Sequence, residues 1–210
     1  KAVDLVLGGT VGNAFAAIRP PGHHAERETP MGFCLFGNIA IGAKHALDHH
    51  GLKRVAVVDF DVHHGNGTQD LLQDDPRVLF ISSHEMPLYP GTGDPSDTGE
   101  HDNVINIALK AGTRSKEFRE IYEAQVFPRL RAFKPDLILV SAGFDAHRAD
   151  PLANICLETA DFAWVTGRIC DIADQVCEGR VVSALEGGYD LEALADSAAA
   201  HVKTLQERAA

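Results

Sequence analysis

The sequence predicts an α/β fold of three layers, in which helices cover both faces of a mostly parallel sheet. Two observations predict it. Short apolar runs alternate with longer stretches of helical periodicity. These runs are apolar throughout, as expected of strands that are covered on both faces. The six strand candidates are residues 14–18, 54–60, 78–82, 104–108, 137–142 and 181–185.

The helix candidates fall between these strands, as the crossovers of a parallel sheet require. They are residues 38–50, 68–73, 115–133, 159–177 and 191–208. In the third of them, Phe118, Tyr122 and Val126 contribute to an apolar stripe. Pro135 follows at a point where that helix has already ended. Because no repeat or linker interrupts the pattern, we expect a single domain over residues 1–210.

Composition limits the class of protein. The chain has 210 residues, of which 45% are hydrophobic and 23% charged, as is ordinary for a globular protein. No apolar run approaches the ~20 residues of a membrane-spanning helix. The 30 acidic and 19 basic residues give a formal net charge of −11, which argues against direct nucleic-acid binding because that needs basic patches. The cysteines lack paired spacing, so we expect reduced thiols and a cytoplasmic protein.

Polar or glycine-rich segments follow five of the six strand candidates. Because the carboxyl ends of parallel strands meet at one edge of a sheet, and ligands bind beyond that edge, we expect one site there. The segments are residues 20–24, 59–67, 83–84, 143–145 and 186–190.

Asp59, Asp61 and His63 give the strongest chemical signal in these segments. Their spacing of i, i+2 and i+4 places all three on one side of an extended segment. Buried carboxylates beside an imidazole need a cation or a proton to offset their charge. A divalent metal with a position open for water meets this need, and Asp145 is the best-placed further ligand. The alternative is a buried Asp–His pair with only a structural role.

Three more residues in these segments suggest catalysis. His23 and His24 follow a Pro-Pro-Gly turn and titrate near neutrality, which suits a general base and its electrostatic partner. Tyr189 follows two glycines and is suited to donate to a developing oxyanion, although Gly-Gly-Tyr is also a common turn. His45 and His49 lie four residues apart on a helix without an HExxH motif, so we expect no metal role for them.

Six motifs together resemble the histone deacetylase and acetylpolyamine amidohydrolase family. They follow the family's order and are Arg19-Pro-Pro-Gly-His-His-Ala25, Gly32-Phe-Cys34, Val58-Asp-Phe-Asp-Val-His-His-Gly-Asn-Gly-Thr-Gln69, Tyr89-Pro-Gly-Thr-Gly-Asp94, Ser141-Ala-Gly-Phe-Asp145 and Leu185-Glu-Gly-Gly-Tyr189. The first and third motifs look like those of the class II branch and its bacterial relatives. The resemblance implies an arginase/deacetylase-like fold and zinc-dependent removal of acetyl groups from acetyl-lysine in proteins.

The resemblance also implies roles for individual residues. The implied ligands of one Zn²⁺ ion are Asp61, His63 and Asp145. The implied catalytic residues are His23, His24, with the second as the general base, Asp59 as an orienting carboxylate, and Tyr189 as the oxyanion donor. Asn66 is implied to tune His24 through its amide. The implied substrate channel consists of Gly32, Phe33, Tyr89, Leu152 and Gly188. A K⁺ or Na⁺ site is implied at Asp59, Asp61, His63 and Ser82.

Several alternatives stay open at this point. An acetylated polyamine is the second candidate substrate, and a non-catalytic module that keeps the metal site is a further possibility. An arginase-type ureohydrolase needs two manganese ions, whereas Ser141-Ala-Gly-Phe-Asp145 offers one aspartate. Self-association into an oligomer also stays open. Family members are longer and begin with a further strand and helix, so we expect the C-terminal portion of a larger domain.

Overall fold

The computed structural model describes residues 1–209 and contains one six-stranded sheet in the order β1-β6-β5-β2-β3-β4. Each of its five strand pairs within the described residues is parallel. The strands are β1 (Asn13–Ala16), β2 (Val55–Asp59), β3 (Val78–Glu85), β4 (Val104–Leu109), β5 (Leu137–Ala142) and β6 (Val181–Leu185).

Helices cover both faces of this sheet and give the three predicted layers. One face packs against α1 (Ala2–Leu7), α2 (Asn38–Asp48) and α3 (Asn66–Leu72). The other face packs against α4 (Ser115–Ile121), α5 (Phe127–Phe133), α6 (Thr159–Val176) and α7 (Leu191–Glu207). No helix in residues 1–209 combines the length and the apolar character needed to cross a bilayer.

Strand β2 shows why the strand segments of the sequence are apolar at successive positions. All five of its residues are buried. Val55 and Val57 belong to the core beneath α1, α2 and α3, whereas Ala56 and Val58 belong to the core on the opposite face. Since successive side chains of a strand point to opposite faces, a sheet covered on both sides needs apolar residues at every position.

The strand order determines where a ligand crevice opens. From β2 the chain runs outward through β3 to β4, then returns to β5 on the other side of β2 and continues to β6. The direction of winding therefore reverses between β2 and β5. At such a switch point the loops after the two strands diverge, and a crevice opens beyond their carboxyl ends.

The structure differs from the prediction in the helix expected over residues 115–133. A π-helical segment, Tyr122–Val126, lies between α4 and α5. Phe118, Tyr122, Val126 and Leu130 are buried at intervals of four residues. In an α-helix each such interval drifts by about 40° around the axis. The wider π turn absorbs this drift and keeps all four side chains on the sheet.

Strand β3 is also longer than expected. The sequence predicts its end at Ser82, but Ser83, His84 and Glu85 continue the strand. They pair with residues 107–109 of β4. The polar residues of this segment are therefore buried within the sheet and do not form a loop at its edge.

Candidate metal centre and active site

Three buried side chains converge in the crevice between β2 and β5. Asp61 and His63 lie in the loop after β2, and Asp145 lies in the loop after β5. Their potential ligand atoms all lie within 4.8 Å of one another. His63 Nδ1 is 3.1 Å from both Asp61 Oδ1 and Asp145 Oδ2. Because β2 ends at Asp59, a loop and not the alternation of an extended strand brings Asp61 and His63 together.

Backbone groups hold the two carboxylates in place. The Gly187 amide donates to Asp61 Oδ2 at 2.7 Å, and the Val62 amide donates to Asp145 Oδ1 at 2.9 Å. A Cβ atom on Gly187 would collide with the Asp145 carboxylate. Glycine at this position therefore permits the close approach of the backbone to both acids.

The charges of this cluster require compensation. Burial and the neighbouring Asp61 raise the pKa of Asp145 to about 7. Burial lowers the pKa of His63, but hydrogen bonds to Asp145 and Asp61 outweigh it and raise the pKa to about 10. A proton on His63 thus supplies the positive charge that the carboxylates need. A divalent ion replaces such a proton, and two carboxylates with one imidazole form a donor set that Zn²⁺ accepts.

The pKa values of the adjacent residues His23 and His24 are shifted in opposite directions. His23 Nδ1 lies 2.9 Å from Asp59 Oδ2. Burial lowers the pKa of His23, but the charges of Asp61 and Asp59 outweigh burial and hold the pKa well above its usual range. For His24, burial and the charge on His23 lower the pKa to about 3. His24 is therefore neutral and able to act as a base, whereas His23 is charged.

A hydrogen-bond chain fixes the tautomer of His24. Its Nδ1 lies 2.7 Å from Asn66 Oδ1, while Asn66 Nδ2 donates to Glu26 Oε1 at 2.7 Å. Because the Asn66 amide nitrogen is used by Glu26, its carbonyl faces His24 and accepts the Nδ1 proton. The lone pair of His24 is then on Nε2. Sequence reasoning missed Glu26, since it lies in a loop and no local motif links it to Asn66.

Glu186 is a second residue whose contacts sequence reasoning did not foresee. Its Oε2 accepts the backbone amides of Gly22 and His23 at 2.7 and 3.1 Å. Burial raises the pKa of Glu186 to about 7. The carboxyl group therefore anchors the turn that carries the two histidines. An acidic residue directly after a buried strand was the available sequence signal.

A cavity of about 420 Å³ leads to this cluster. Its lining residues are His24, Gly32, Phe33, His63, Tyr89, Leu152 and Tyr189. Phe33 is 71% exposed, and Tyr89 and Leu152 are each 47% exposed, so these apolar side chains reach the surface. Gly32 has φ +54°, and a Cβ atom there would collide with the His24 ring. The cavity thus joins apolar walls near the surface to polar groups inside.

Tyr189 contributes a protonated phenol to this cavity. Its ring centroid lies 6.0 Å from that of Phe33, and its backbone amide donates to Asp150 Oδ2 at 2.8 Å. Burial and the charges of Asp61 and Asp145 raise the pKa of Tyr189 well above its usual range. The hydroxyl group is therefore a hydrogen-bond donor at neutral pH.

Two other predicted site residues, Gly188 and Ser82, lie outside the cavity lining. Gly188 is not among the residues that line the cavity, and a Cβ atom there would meet Leu194 Cδ1 at 2.8 Å. Its φ of +133° explains the need for glycine at the strand exit. Ser82 is buried and pairs in register with Asp59. The K⁺ or Na⁺ ion expected beside these two residues stays a prediction.

Comparison with known proteins identifies the family. The histone deacetylase domain matches residues 1–205. The chain belongs to the histone deacetylase family. It is 50% identical over 194 residues to "Histone deacetylase 14, chloroplastic" of Arabidopsis thaliana, covering 91% of this chain and 46% of that protein.

Two further similarities extend this finding within the histone deacetylase family. A "Probable deacetylase" of Archaeoglobus fulgidus is 43% identical over 195 residues, covering 91% of this chain and 54% of that protein. The solved structure "Crystal Structure of HDA15 HD domain" has a TM-score of 0.92 at 38% identity, covering 97% of this chain and 58% of that chain. The family resemblance and the arginase/deacetylase-like fold are thereby confirmed. The chain spans about half the length of these relatives.

Proposed function

We propose that this chain provides a zinc-dependent amidohydrolase site that removes acetyl groups from acetyl-lysine side chains of proteins. One observation carries the proposal: neutral His24 and protonated Tyr189 line the same cavity as His63 of the Asp–His–Asp cluster. Family membership and the deacetylase names of the relatives support it.

The residues divide the work of amide hydrolysis. When held by Asp61, His63 and Asp145, Zn²⁺ would supply Lewis acidity toward a water molecule and the acetyl carbonyl. His24 accepts the proton of the attacking water at Nε2, which its low pKa leaves unprotonated. Tyr189 donates its hydroxyl proton in a hydrogen bond to the carbonyl oxygen as negative charge develops there.

His24 and His23 together also explain how the leaving amine receives a proton. The proton that His24 takes from water is available to the departing nitrogen, since protonated His24 is a strong acid beside charged His23. His23 keeps His24 acidic through its own charge, which Asp59 and Asp61 stabilise. No covalent intermediate is needed, and burial raises the pKa of the nearby Cys34 thiol to about 11, which leaves it unreactive.

The cavity walls support an acyl-lysine substrate. Phe33, Tyr89 and Leu152 offer apolar surface to an aliphatic chain, while the acetyl group reaches His24 and Tyr189. The net charge of −11 favours a cationic partner such as a lysine-rich segment. The same features suit an acetylated polyamine, which is the second candidate substrate.

The decisive experiment combines activity with metal analysis. We expect Tyr189→Phe to lower kcat for an acetyl-lysine peptide by about 10²–10³, the usual loss when one oxyanion donor is removed, without lowering zinc content. Tyr122→Phe is the matched control, because its hydroxyl lies 2.7 Å from Ser83 Oγ and outside the cavity. A Tyr189→Phe variant as active as the parent would contradict the mechanism.

The same measurements separate the alternatives. Faster turnover of acetylspermidine than of the peptide would favour a polyamine substrate. Zinc binding without turnover of either would favour a non-catalytic module. Two manganese ions bound together at the cluster of Asp61, His63 and Asp145 would favour an arginase-type ureohydrolase. We also propose a cytoplasmic location, supported by the four free cysteines, and cell fractionation tests it.

A further inference from the structure

We propose that His45, His49, His50 and Asp4 form a second divalent-metal site, separate from the amidohydrolase site. The ions that this site would bind are late transition-metal ions such as Zn²⁺, Ni²⁺ and Cu²⁺. The site lies where the C-terminal end of α2 meets α1. Because α2 returns from the carboxyl edge of the sheet to the start of β2, this end of the helix lies at the edge opposite the active site.

The sequence predicts no metal role for His45 and His49, but the structure brings their ring nitrogens close to those of His50. Their potential ligand atoms all lie within 4.8 Å of one another. His45 Nε2 and His50 Nε2 lie 2.6 and 2.8 Å from the same oxygen, Asp4 Oδ1. One carboxylate oxygen of Asp4 therefore lies within hydrogen-bonding distance of two imidazole rings, and the third ring, that of His49, lies beside them.

The end of helix α2 produces this arrangement. His45 and His49 are four residues apart, so they lie on the same face of the helix, and their rings stack with centroids 4.8 Å apart. His49 caps the helix, and the His50 amide donates to the His45 carbonyl at 3.3 Å. The chain thus turns at the cap and brings His50 back over the first ring, at a centroid separation of 5.1 Å.

The donor set selects the class of metal. Three imidazole nitrogens and one carboxylate oxygen suit Zn²⁺, Ni²⁺ and Cu²⁺, whereas Mg²⁺ and Ca²⁺ prefer oxygen donors alone. The negative end of the α2 dipole adds a favourable field for a cation. The side chains of His45, His50 and Asp4 are 36%, 24% and 46% exposed, so an ion can enter from solvent. Exposed side chains can also make the small shifts that metal bonds of about 2 Å require.

A purely structural role for Asp4 and the three histidines predicts a different result when His49 is removed. Asp4 would then serve only as an acceptor that joins α1 to α2 through His45 and His50. His49 separates the two roles, because it contributes to the nitrogen cluster while Asp4 is bonded to the other two histidines. Removing its ring should impair metal binding and leave the Asp4 contacts intact.

The test is metal stoichiometry of the full 210-residue chain by equilibrium dialysis against Zn²⁺ and mass spectrometry. We expect two zinc ions per chain for the parent, one for His49→Ala, and two for the control His101→Ala, whose ring contacts only the Asp74 carbonyl among the hydrogen bonds described. Circular dichroism and the metal-free melting temperature report whether each variant folds as the parent does.

Copper provides a second, independent readout. In electron paramagnetic resonance, the second Cu²⁺ equivalent should show hyperfine coupling to several imidazole nitrogens in the parent, and His49→Ala should lower the number of coupled nitrogens. One metal ion per parent chain that His49→Ala leaves unchanged would overturn the proposal. So would a folded His49→Ala variant that binds as much zinc as the parent and keeps the number of coupled nitrogens.

Discussion

Acidification is expected to destabilise this protein partly through His201, a buried histidine of α7. The ring lies between Thr166 Oγ1 and Ser183 Oγ, at 2.7 and 2.8 Å from its two nitrogens. It also packs against Phe60 and Phe144, the aromatic residues beside the metal-ligand loops. Burial lowers its pKa to about 4. His201 is therefore neutral in the folded protein at every pH above that value.

The magnitude follows from the difference between the folded and unfolded states. The pKa is about 6.5 in the unfolded chain and about 4 in the folded one. Between these values the unfolded chain binds more protons, so stability falls as pH falls from about 6.5 towards 4. For this one group, linkage lowers the free energy of unfolding by about 2 kcal/mol between pH 7.5 and pH 5, and by about 3 kcal/mol at pH 4.

The assay compares the parent with His201→Gln, which keeps a polar side chain but removes the titration. Urea unfolding at pH 7.5, 6 and 5 gives the difference in stability between the two proteins at each pH. We expect the parent's advantage to shrink by about 2 kcal/mol over this range. The exposed His101→Gln variant controls for the loss of one histidine. A difference in stability that stays constant from pH 7.5 to pH 5 would refute the reasoning.

Three further predictions concern the site and the core. Asn66→Asp places a carboxylate on His24 Nδ1 and should raise its pKa from about 3, so the acidic limb of the kcat/KM profile moves to higher pH. Gly32→Ala should abolish deacetylation while zinc content is kept, because the new methyl group collides with the His24 ring. Phe127→Ala, at a fully buried position, should lower the free energy of unfolding by about 3–5 kcal/mol in urea titrations.

Much of the fold follows from local patterns. The strands over residues 137–142 and 181–185 were predicted with the bounds that the structure shows, because an apolar run and its flanking turn residues mark both ends. The π segment at Tyr122–Val126 was not predicted. It depends on the sheet surface beneath the helix, and the four-residue spacing also fits an ordinary apolar stripe. Ser83 and His84 were placed outside β3 because their polarity resembles a loop, yet pairing with β4 holds them in the sheet.

The candidate site was likewise predictable from the sequence only in part. Asp61, His63 and Asp145 were expected together because loops after neighbouring parallel strands share one edge, and the structure brings them together. Glu26 and Glu186 act through long-range contacts with Asn66 and the His23 backbone. Such contacts depend on how loops fold over one another, which no short motif encodes.

The position of β1 has a consequence for how the chain folds. Asn13 of β1 pairs with Val181 of β6, although the two residues are far apart in the sequence. Strand β1 therefore cannot take its place in the sheet until β6 is available to pair with it. Pairing between such distant segments slows folding, and unpaired strands favour aggregation meanwhile. We therefore expect slow refolding with an exposed sheet edge, so production in cells should benefit from low temperature and chaperones.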